Sequence, residues 1–555
     1  MVRATFSGFN TALSALQANQ KRLDITGQNL SNMNTAGYTR QQLEASSLNY
    51  TNPVSHYSNG NETAVGFGVS MDRVSQIRDP YLDIQYRSQS ADCSYTNRLQ
   101  TALNSLSKVL DETTISGIRQ AFDDIQSTLT SMQDPAKVSD PIYESELRTK
   151  MQSVCNLFNQ ASRQITQAEQ NEFQRLTGEG SSEQGDVQKI NDILRQIGDL
   201  NVQIKRNQVA GHPSLELQDE RNLLLDELSG YIPVETRYYK DDAHSGNNAY
   251  DYDANGAVIG KKDWPDDLEV SMNYIDAQGK SQKLILVNGS DLGADGLTKN
   301  YGQLSVLKGD HQTAASVSDP ANISIKFEKA PSYKGNGQAA ADVYAELKGI
   351  HFEGGSLQAS LDMLQKTGTG NVINGSVDDV RGYQYYSEKL DQLADTFAKS
   401  MNASNNGNNH KDQNLLSNST DDTTTGITAG NIGISKGWTS GTIHISTDGT
   451  NRTDTILDMI AAMKDTKKLN GKTFADYMNN LSTQLASDSS SNQTALKTGT
   501  TVLNSIQDSR DSLSGVSLDE EATNMMAYVS AYNAASRLMT ALDEVLNTLI
   551  SNTGA

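Results

Sequence analysis

Several residue types are scarce in this 555-residue chain, and each shortage closes a class of function. Two cysteines, Cys93 and Cys155, allow one bridge at most, so neither a disulfide framework nor a cysteine-rich zinc site is available. Nine prolines leave little to interrupt long helices. Lys and Arg number 46 against 67 Asp and Glu, a net charge of −21. That balance argues against a dedicated nucleic-acid binder and against a general ligand of anionic membranes, because both need clustered cations. No run approaches 18 apolar residues, so no helix is expected to span a bilayer. The first ten residues carry one charge and no continuous apolar core, and do not read as a cleavable secretory signal. Apolar and aromatic residues make up only 36% of the chain, and Ser, Thr, Asn and Gln fill the difference. At roughly 150 residues per domain the length fits three or four domains.

Chemistry-bearing patterns are equally thin. None of the seven histidines (His56, His212, His244, His311, His351, His410, His444) stands four residues from another or in a His-Glu-x-x-His frame. Asp251-Tyr-Asp253-Ala-Asn255-Gly256 copies the opening of a calcium loop, but position 12 is Lys262 rather than a bidentate Glu. The segment therefore reads as an Asn-Gly hairpin turn. There is no Gly-x-Ser-x-Gly elbow and no phosphate-binding Gly-Lys-Ser/Thr loop. Asp263, Asp266, Asp267 and Glu269 read as a solvated acidic face. The expectation is a non-enzyme without cofactor, metal site or catalytic residues.

What the chain does have is periodicity. Phe6, Phe9, Leu13, Leu16, Leu23 and Leu30 fall on a narrow stripe with heptad spacing at one end. At the other end the rhythm runs through Leu518, Ala522, Met525, Val529, Tyr532, Met539, Leu546 and Ile550, reinforced by Leu538, Leu542, Val545 and Leu549. Ser517-Leu-Asp-Glu520 opens the second stripe as a capping box, and Glu521 adds charge at the positive end of the helix dipole. Helices with narrow stripes are marginal alone, so each needs a partner, most simply the other. Residues 1–50 carry four cations against two acids, and 511–555 one cation against six, a complementarity weakened by salt.

Between the stripes, steps of three and four predict helices over Leu99–Leu110, Ile118–Met132, Leu147–Ala168, Val187–Ile204 and Leu223–Leu228, with Asp134-Pro135 and Asp140-Pro141 at a turn. From about Val234 to Gly355 the period changes to alternation, as in Leu268, Val270, Met272 and Tyr274, or Ile323, Ile325 and Phe327. Helical pattern returns at Tyr386–Met401 and from Ile456. An Ile-rich piece (Ile427, Ile432, Ile434, Trp438, Ile443, Ile445) reads as strands.

Specific motifs sit on this frame. Leu13-Ser-Ala-Leu-Gln-Ala-Asn19 and Gly27-Gln-Asn-Leu-Ser-Asn-Met-Asn-Thr-Ala-Gly-Tyr-Thr-Arg-Gln41 resemble the N-terminal signature of bacterial flagellar rod, hook and hook-associated proteins. The residues that carry it are Asn29, Asn32, Asn34, Thr35, Gly37, Tyr38 and Arg40. The Gly-Tyr-x-Arg-Gln ending, where rod and hook proteins more often show Gly-Phe-Lys, is similar to the hook-associated protein 1 family. The C-terminal counterpart is Ser514-Gly-Val-Ser-Leu-Asp-Glu-Glu-Ala-Thr-Asn-Met526, with Gly515, Ser517, Leu518, Asp519, Glu520 and Glu521. Leu217–Ser229, Gly354-Gly-Ser-Leu357 and Asn431–Trp438 agree with it, while Ala36 stands where the family often has Pro and 236–350 carries no family motif.

The expected fold is mainly α with an inserted β-rich domain, elongated and multi-domain, the terminal helices pairing as a coiled coil. Its expected parts are a terminal tube domain (1–50 with 511–555), a helical bundle (51–234 with 355–510, including a short β piece near 427–446) and an outer β insertion (235–354). The resemblance implies a structural subunit of the flagellum, one of a ring joining hook to filament. It further implies export through the flagellar type III apparatus without signal cleavage and an extracellular place at the hook–filament junction. The implied partners are other copies of the chain, hook protein, a second junction protein and an export chaperone at the C-terminal segment, with no nucleic acid and no membrane insertion. Assembly is expected to run through Phe6, Phe9, Leu13, Leu16, Leu23, Leu30, Met525, Val529, Tyr532, Met539, Leu542, Leu546 and Ile550. The alternatives are a hook or distal-rod axial protein, or an axial protein whose outer domain is an adhesin.

Overall fold

The computed structural model describes residues 7–48, 68–110, 117–138, 140–240, 250–252, 258–261, 266–276, 278–289, 299–330, 343–346, 349–373, 376–377, 379–407, 412–446 and 453–553. Helices dominate it. The chain opens with α1 (Ser7–Asn32), then the strands β1 (Gln41–Ser47) and β2 (Val69–Gln76), which pair antiparallel. A bundle follows: α2 (Pro80–Leu110), α3 (Ile118–Ser131), α4 (Pro135–Val138), α5 (Pro141–Thr177), α6 (Asp186–Val209) and α7 (Leu215–Tyr231). The helix limits follow local chemistry. Asp140 caps α5 by accepting from the Ile142 N–H at 2.9 Å, Pro141 occupies the first turn, and Gly178 ends the helix at φ 77°. Ile118, Phe122, Ile125 and Leu129 of α3 are all buried, as their 3/4 spacing requires.

The β-rich part contains β3 (Glu235–Lys240), β4 (Tyr250–Tyr252), β5 (Val258–Lys261), β6 (Asp266–Ile275), β7 (Ser281–Asn288), β8 (Gln303–Leu307), β9 (Ser324–Glu328) and β10 (Val343–Ala345). Two antiparallel three-stranded sheets form, in the orders β3-β6-β7 and β10-β9-β8. Leu268, Val270 and Met272 of β6 and Ile325 and Phe327 of β9 point into the core at the predicted alternation. The turn of the calcium-loop-like segment lies outside the described residues, although β4 and β5 on either side of it pair antiparallel. Side-chain amides fasten the sheets to α6: Asn191 exchanges hydrogen bonds with the Leu304 backbone (2.8 and 2.7 Å), and Asn201 donates to Leu268 and Gly289 carbonyls (3.1 Å each).

The chain returns to the bundle through α8 (Ser356–Gln365), β11 (Val372–Ile373), β12 (Ser376–Val377), α9 (Tyr383–Asn405), β13 (Leu416–Asn418), β14 (Ile432–Ile434), α10 (Lys436–Ser440) and α11 (Asp454–Lys464). Two long helices close it, α12 (Phe474–Ser514) and α13 (Leu518–Thr553). Phe122 sits among Phe158, Phe397 and Phe474 with ring centroids 5.2–6.0 Å away, so α3, α5, α9 and α12 share one core. The Ile-rich piece forms fewer strands than its composition suggests. Only Ile432–Ile434 pairs, with β13, and Trp438 belongs to the helical turn α10, capped by Ser435. Trp438 is buried there and donates from Nε1 to Glu144 Oε1 at 2.8 Å, a polar partner that holds the indole on a helix rather than a strand. Two elements cross the expected domain limits: β1 pairs with β2 across residue 50, and α12 runs unbroken through 510. Both cysteines are free and buried, and burial pushes the Cys155 thiol up to about 12.

Candidate assembly site

The two terminal helices pack antiparallel on each other. A Cβ at Gly8 would stand 3.4 Å from the Leu542 methyls, the Arg22 guanidinium lies over the Tyr528 ring (5.6 Å), and Asn29 Nδ2 reaches Glu521 Oε2 (3.3 Å). Fourteen residues separate Gly8 from Arg22 and Tyr528 from Leu542, and seven separate Arg22 from Asn29 and Glu521 from Tyr528. The pair therefore keeps one heptad-spaced register along its length.

The most covered line of α1 is Ala12, Ala18, Asn19, Ile25, Thr26 and Asn29, close to the leucine stripe but not on it. α1 lies under both α13 and the β1–β2 pair, with the Val69 N–H donating to Ser14 Oγ at 3.2 Å. Its buried line falls between these two covers, with Ala12 and Ala18 allowing close approach. Of the expected assembly residues, Phe9, Leu16, Leu23, Leu30, Met525, Met539, Leu542 and Leu546 are half-buried at the seam. Leu13, Val529, Tyr532 and Ile550 face outward, Ile550 being 62% exposed. Phe6 lies outside the described residues.

The signature residues converge where α1, the turn after it and the start of α13 meet. Asn29 acts as a strand-like partner for Gln41, its Nδ2 donating to the Gln41 carbonyl and its Oδ1 accepting from the Gln41 N–H, both at 3.0 Å. Tyr38 donates to the same Oδ1 at 2.9 Å. Asn32 donates to the Gln28 carbonyl, and Thr35 donates to Asn32 from both N–H and Oγ1, tightening the turn. Gly37, at φ 78°, makes a left-handed step against Leu223, while Asn34 is exposed. Arg40 bridges to Glu521 and Glu520, each at 2.8 Å, and its N–H donates to the Ser514 carbonyl at 2.9 Å. This changes the expected capping box. Ser517 Oγ accepts from the Glu520 N–H at 3.5 Å, but the Glu520 carboxylate goes to Arg40 instead of back to the cap. Leu518 and Asp519 are exposed, and a Cβ at Gly515 would meet the Asp511 carbonyl at 2.4 Å.

A second set of residues, not singled out in the sequence, ties this knot to the bundle. Thr39 donates to Asp219 of α7 from its N–H (3.1 Å) and its Oγ1 (2.6 Å), and Gln41 Nε2 donates to Glu216 (3.3 Å). Arg78 pairs with Asp83, and Arg510 of α12 bridges Asp83 (3.1 Å) and Asp226 (2.7 Å) while stacking over Tyr86 (4.2 Å). Arg87 shares Asp226 at 2.8 Å. Glu216, Asp219 and Asp226 line one face of α7 at steps of three and seven, the only sequence signal that could have pointed to them. Burial pushes the Asp219 carboxyl up to about 6 against the opposing pull of its Thr39 bonds and Arg78. Burial and the nearby Glu216, Asp219 and Glu521 carboxylates push Tyr38 up to about 12. A cleft of about 790 Å³ opens between the 33–40 turn, α7 and the α12–α13 corner. Among the described residues no three His, Cys, Asp or Glu side chains are placed to hold a metal, and no helix is long and apolar enough to cross a membrane.

The model of the flagellar hook-associated protein FlgK helical domain matches residues 103–415, more than half the chain. The chain belongs to the FlgK family. Models of the flagella basal body rod protein and of the flagellar basal body rod FlgEFG protein C-terminal region match residues 9–39 and 509–552, the two segments that pair. Flagellar hook-associated protein 1 of Bacillus subtilis strain 168 is 29% identical over 568 residues, covering 99% of each chain. That of Salmonella typhimurium is 29% identical over 230 residues, 41% of this chain and 38% of its own. The solved flagellar hook junction protein FlgK from Burkholderia pseudomallei is 20% identical, covering 60% of this chain and 44% of its own, with a TM-score of 0.37. FlgK-family chains are structural flagellar components.

Proposed function

We propose that the chain is a hook–filament junction subunit that assembles as a ring through its terminal helices, paired as a coiled coil in an inner tube layer beneath the bundle and an outermost β domain. The observation that carries this reading is the distribution of exposed apolar side chains. Leu13 and Met33 at α1, Leu48 and Met71 at β1–β2, Tyr81 and Ile84 on α2, Leu223 on α7 and Val502 and Leu513 on α12 are all exposed. So are Leu518, Met526, Val529, Tyr532, Leu538, Val545, Leu549 and Ile550 on α13, whereas elsewhere among the described residues only Ile142 and Leu457 join them. So much apolar surface left exposed on the paired terminal helices and on the elements that adjoin them is the mark of an interface still to be covered. Neighbouring copies cover it in a ring, and hook protein and the second junction protein cover it above and below. Before assembly the same stripes are the surface that an export chaperone shields, and the chain leaves the cell through the flagellar export apparatus. Assembly thereby stabilises the terminal pair further. Immunogold labelling of isolated filaments tests the proposal: label confined to the hook-proximal end supports it, and label along the hook or absent from the filament base overturns it.

A further inference from the structure

The chain passes between the bundle and the β-rich part twice, outward from α7 into β3 and back through residues 350–355 into α8. The return passage is tightly held. Ile275, the last residue of β6, and His351 exchange backbone hydrogen bonds at 2.7 and 3.1 Å, and the Gly355 N–H donates to the Ala91 carbonyl of α2 at 2.8 Å. Gly355 stands at φ 85°, where a Cβ would lie 2.4 Å from the Tyr231 carbonyl oxygen, so the passage runs backbone against backbone past the end of α7. Phe352 packs edge-on to Phe327 of β9 at 6.1 Å.

His351 is the odd member of this passage. It is only 6% exposed, and both ring nitrogens are buried without a hydrogen-bond partner. A neutral imidazole leaves one N–H and one lone pair unmatched there, whereas an imidazolium would leave two N–H groups and a charge, a far costlier state. A cleft of about 500 Å³ opens beside the ring. Facing it are Asp92 and Tyr95 from α2, Glu353 from the passage itself, Asp362 and Lys366 from α8, and Asp379, while β6 presents Ile275. Asp362 is taken by Tyr95 (2.7 Å), Gln358 (2.8 Å) and Lys366 (3.3 Å), and Lys366 also pairs with Asp379 (3.3 Å). No carboxylate lies within hydrogen-bonding distance of the ring. Burial first, and the Lys366 charge second, lower the imidazole from 6.5 to about 4. A charge on His351 is relieved only by bringing the ring out to water and carboxylates in the cleft, and that movement pulls on the Ile275 pairing. We propose that His351 is an acid-released latch: neutral, it lies shut between β6 and α8 and fastens the β-rich part to the bundle, and protonated, it turns into the cleft, the Ile275–His351 pair parts and the β-rich part is loosened.

Amide exchange of the full-length protein tests it, read at Ile275 and His351 and corrected for the intrinsic rate at each pH. Stability held by a lowered imidazole is full above about pH 7 and is lost as the pH falls through 6.5 towards 4. Opening at these two amides is therefore expected to become about fiftyfold easier between pH 7 and pH 4.5. The Leu304 amide, held by Asn191 on α6, keeps its protection over the same range. His351→Phe retains the backbone bonds and has no proton to gain, so its protection at Ile275 is flat. Lys366→Met removes the opposing charge and moves the midpoint of the loss to higher pH. Proton NMR gives the direct reading, since the imidazole signal missing from His351→Phe titrates near pH 4 in the parent. Protection at Ile275 and His351 unchanged down to pH 4.5, an equal loss in His351→Phe, an unmoved midpoint in Lys366→Met, or a parent ring titrating near 6.5 overturns the proposal. None of these readings passes through the terminal helices, so the latch stands or falls apart from the assembly reading.

Discussion

Arg40 and Glu521 stand 481 residues apart in sequence and 2.8 Å apart in space, and Glu521 also accepts from the buried amide of Asn29. One carboxylate therefore closes the two ends of the chain on each other. Glu521→Gln leaves Arg40 with Glu520 alone and is expected to weaken the terminal pair by about 2 kcal/mol, the scale of a hydrogen bond to a charged group. Because the bundle core is remote from this contact, faster amide exchange over 20–41 and 518–530 with an unchanged bundle transition is the expected result. Equal protection in variant and parent would show the contact to be dispensable.

Asp219 sets a pH dependence of the opposite sign to an ordinary ion-paired carboxylate. Its carboxyl is raised from 3.8 to about 6, so between those values the folded chain holds a proton that the unfolded chain has released. The associated stability is full below about pH 4, is lost as the pH rises towards 6, and is flat above; the span is about 3 kcal/mol. The measurement is protection of the Thr39 and Arg40 amides from pH 4 to 7.5. Asp219→Asn is expected to flatten the profile, and a parent profile that rises with pH would contradict this assignment.

The helices of the bundle were legible because their apolar residues recur at three and four, and β6 and β9 because theirs alternate. The α1–α13 partnership was legible as well, since two narrow stripes at the chain ends need each other. Its detailed face was not. Of the six covered residues of α1, Ala12, Ala18, Asn19, Thr26 and Asn29 carry too little hydrophobicity to register beside the neighbouring leucines, and Ile25 alone makes no stripe. The isoleucines around Trp438 suggest a strand, whereas a Ser435 cap and a Glu144 partner 294 residues away decide its helical turn. The Asp219 and Arg510 network was invisible for the same reason: each ion pair joins segments whose approach depends on the whole fold.

Leu16 and Leu542 separate folding from assembly. Both are half-buried on the terminal pair, Leu542 against Gly8. A carboxylate at either place keeps its charge only by staying in water, so it opens the α1–α13 seam and, on the proposed reading, spoils the surface that a neighbouring copy would cover. Leu16→Asp and Leu542→Asp are expected to leave the β6 and β9 amides fully protected while abolishing filament attachment in electron micrographs. Normal motile filaments in either variant would refute the assignment of this surface.

Phe122 gives the converse separation. Its ring is fully buried and meets Phe397 at 5.2 Å and Phe474 at 5.5 Å, so it anchors the first half of α12 to α3 and α9. Phe122→Ala removes the ring and leaves a cavity that four helices cannot close without shifting, at a cost of about 3–5 kcal/mol. Denaturant titration should show the bundle transition falling by that amount. Protection of the Arg40 and Gln41 amides should fall by less, because the contacts of Asn29, Glu521 and Asp219 that hold them do not pass through this core. A loss of equal size at both places would mean that the terminal pair and the bundle unfold as one unit.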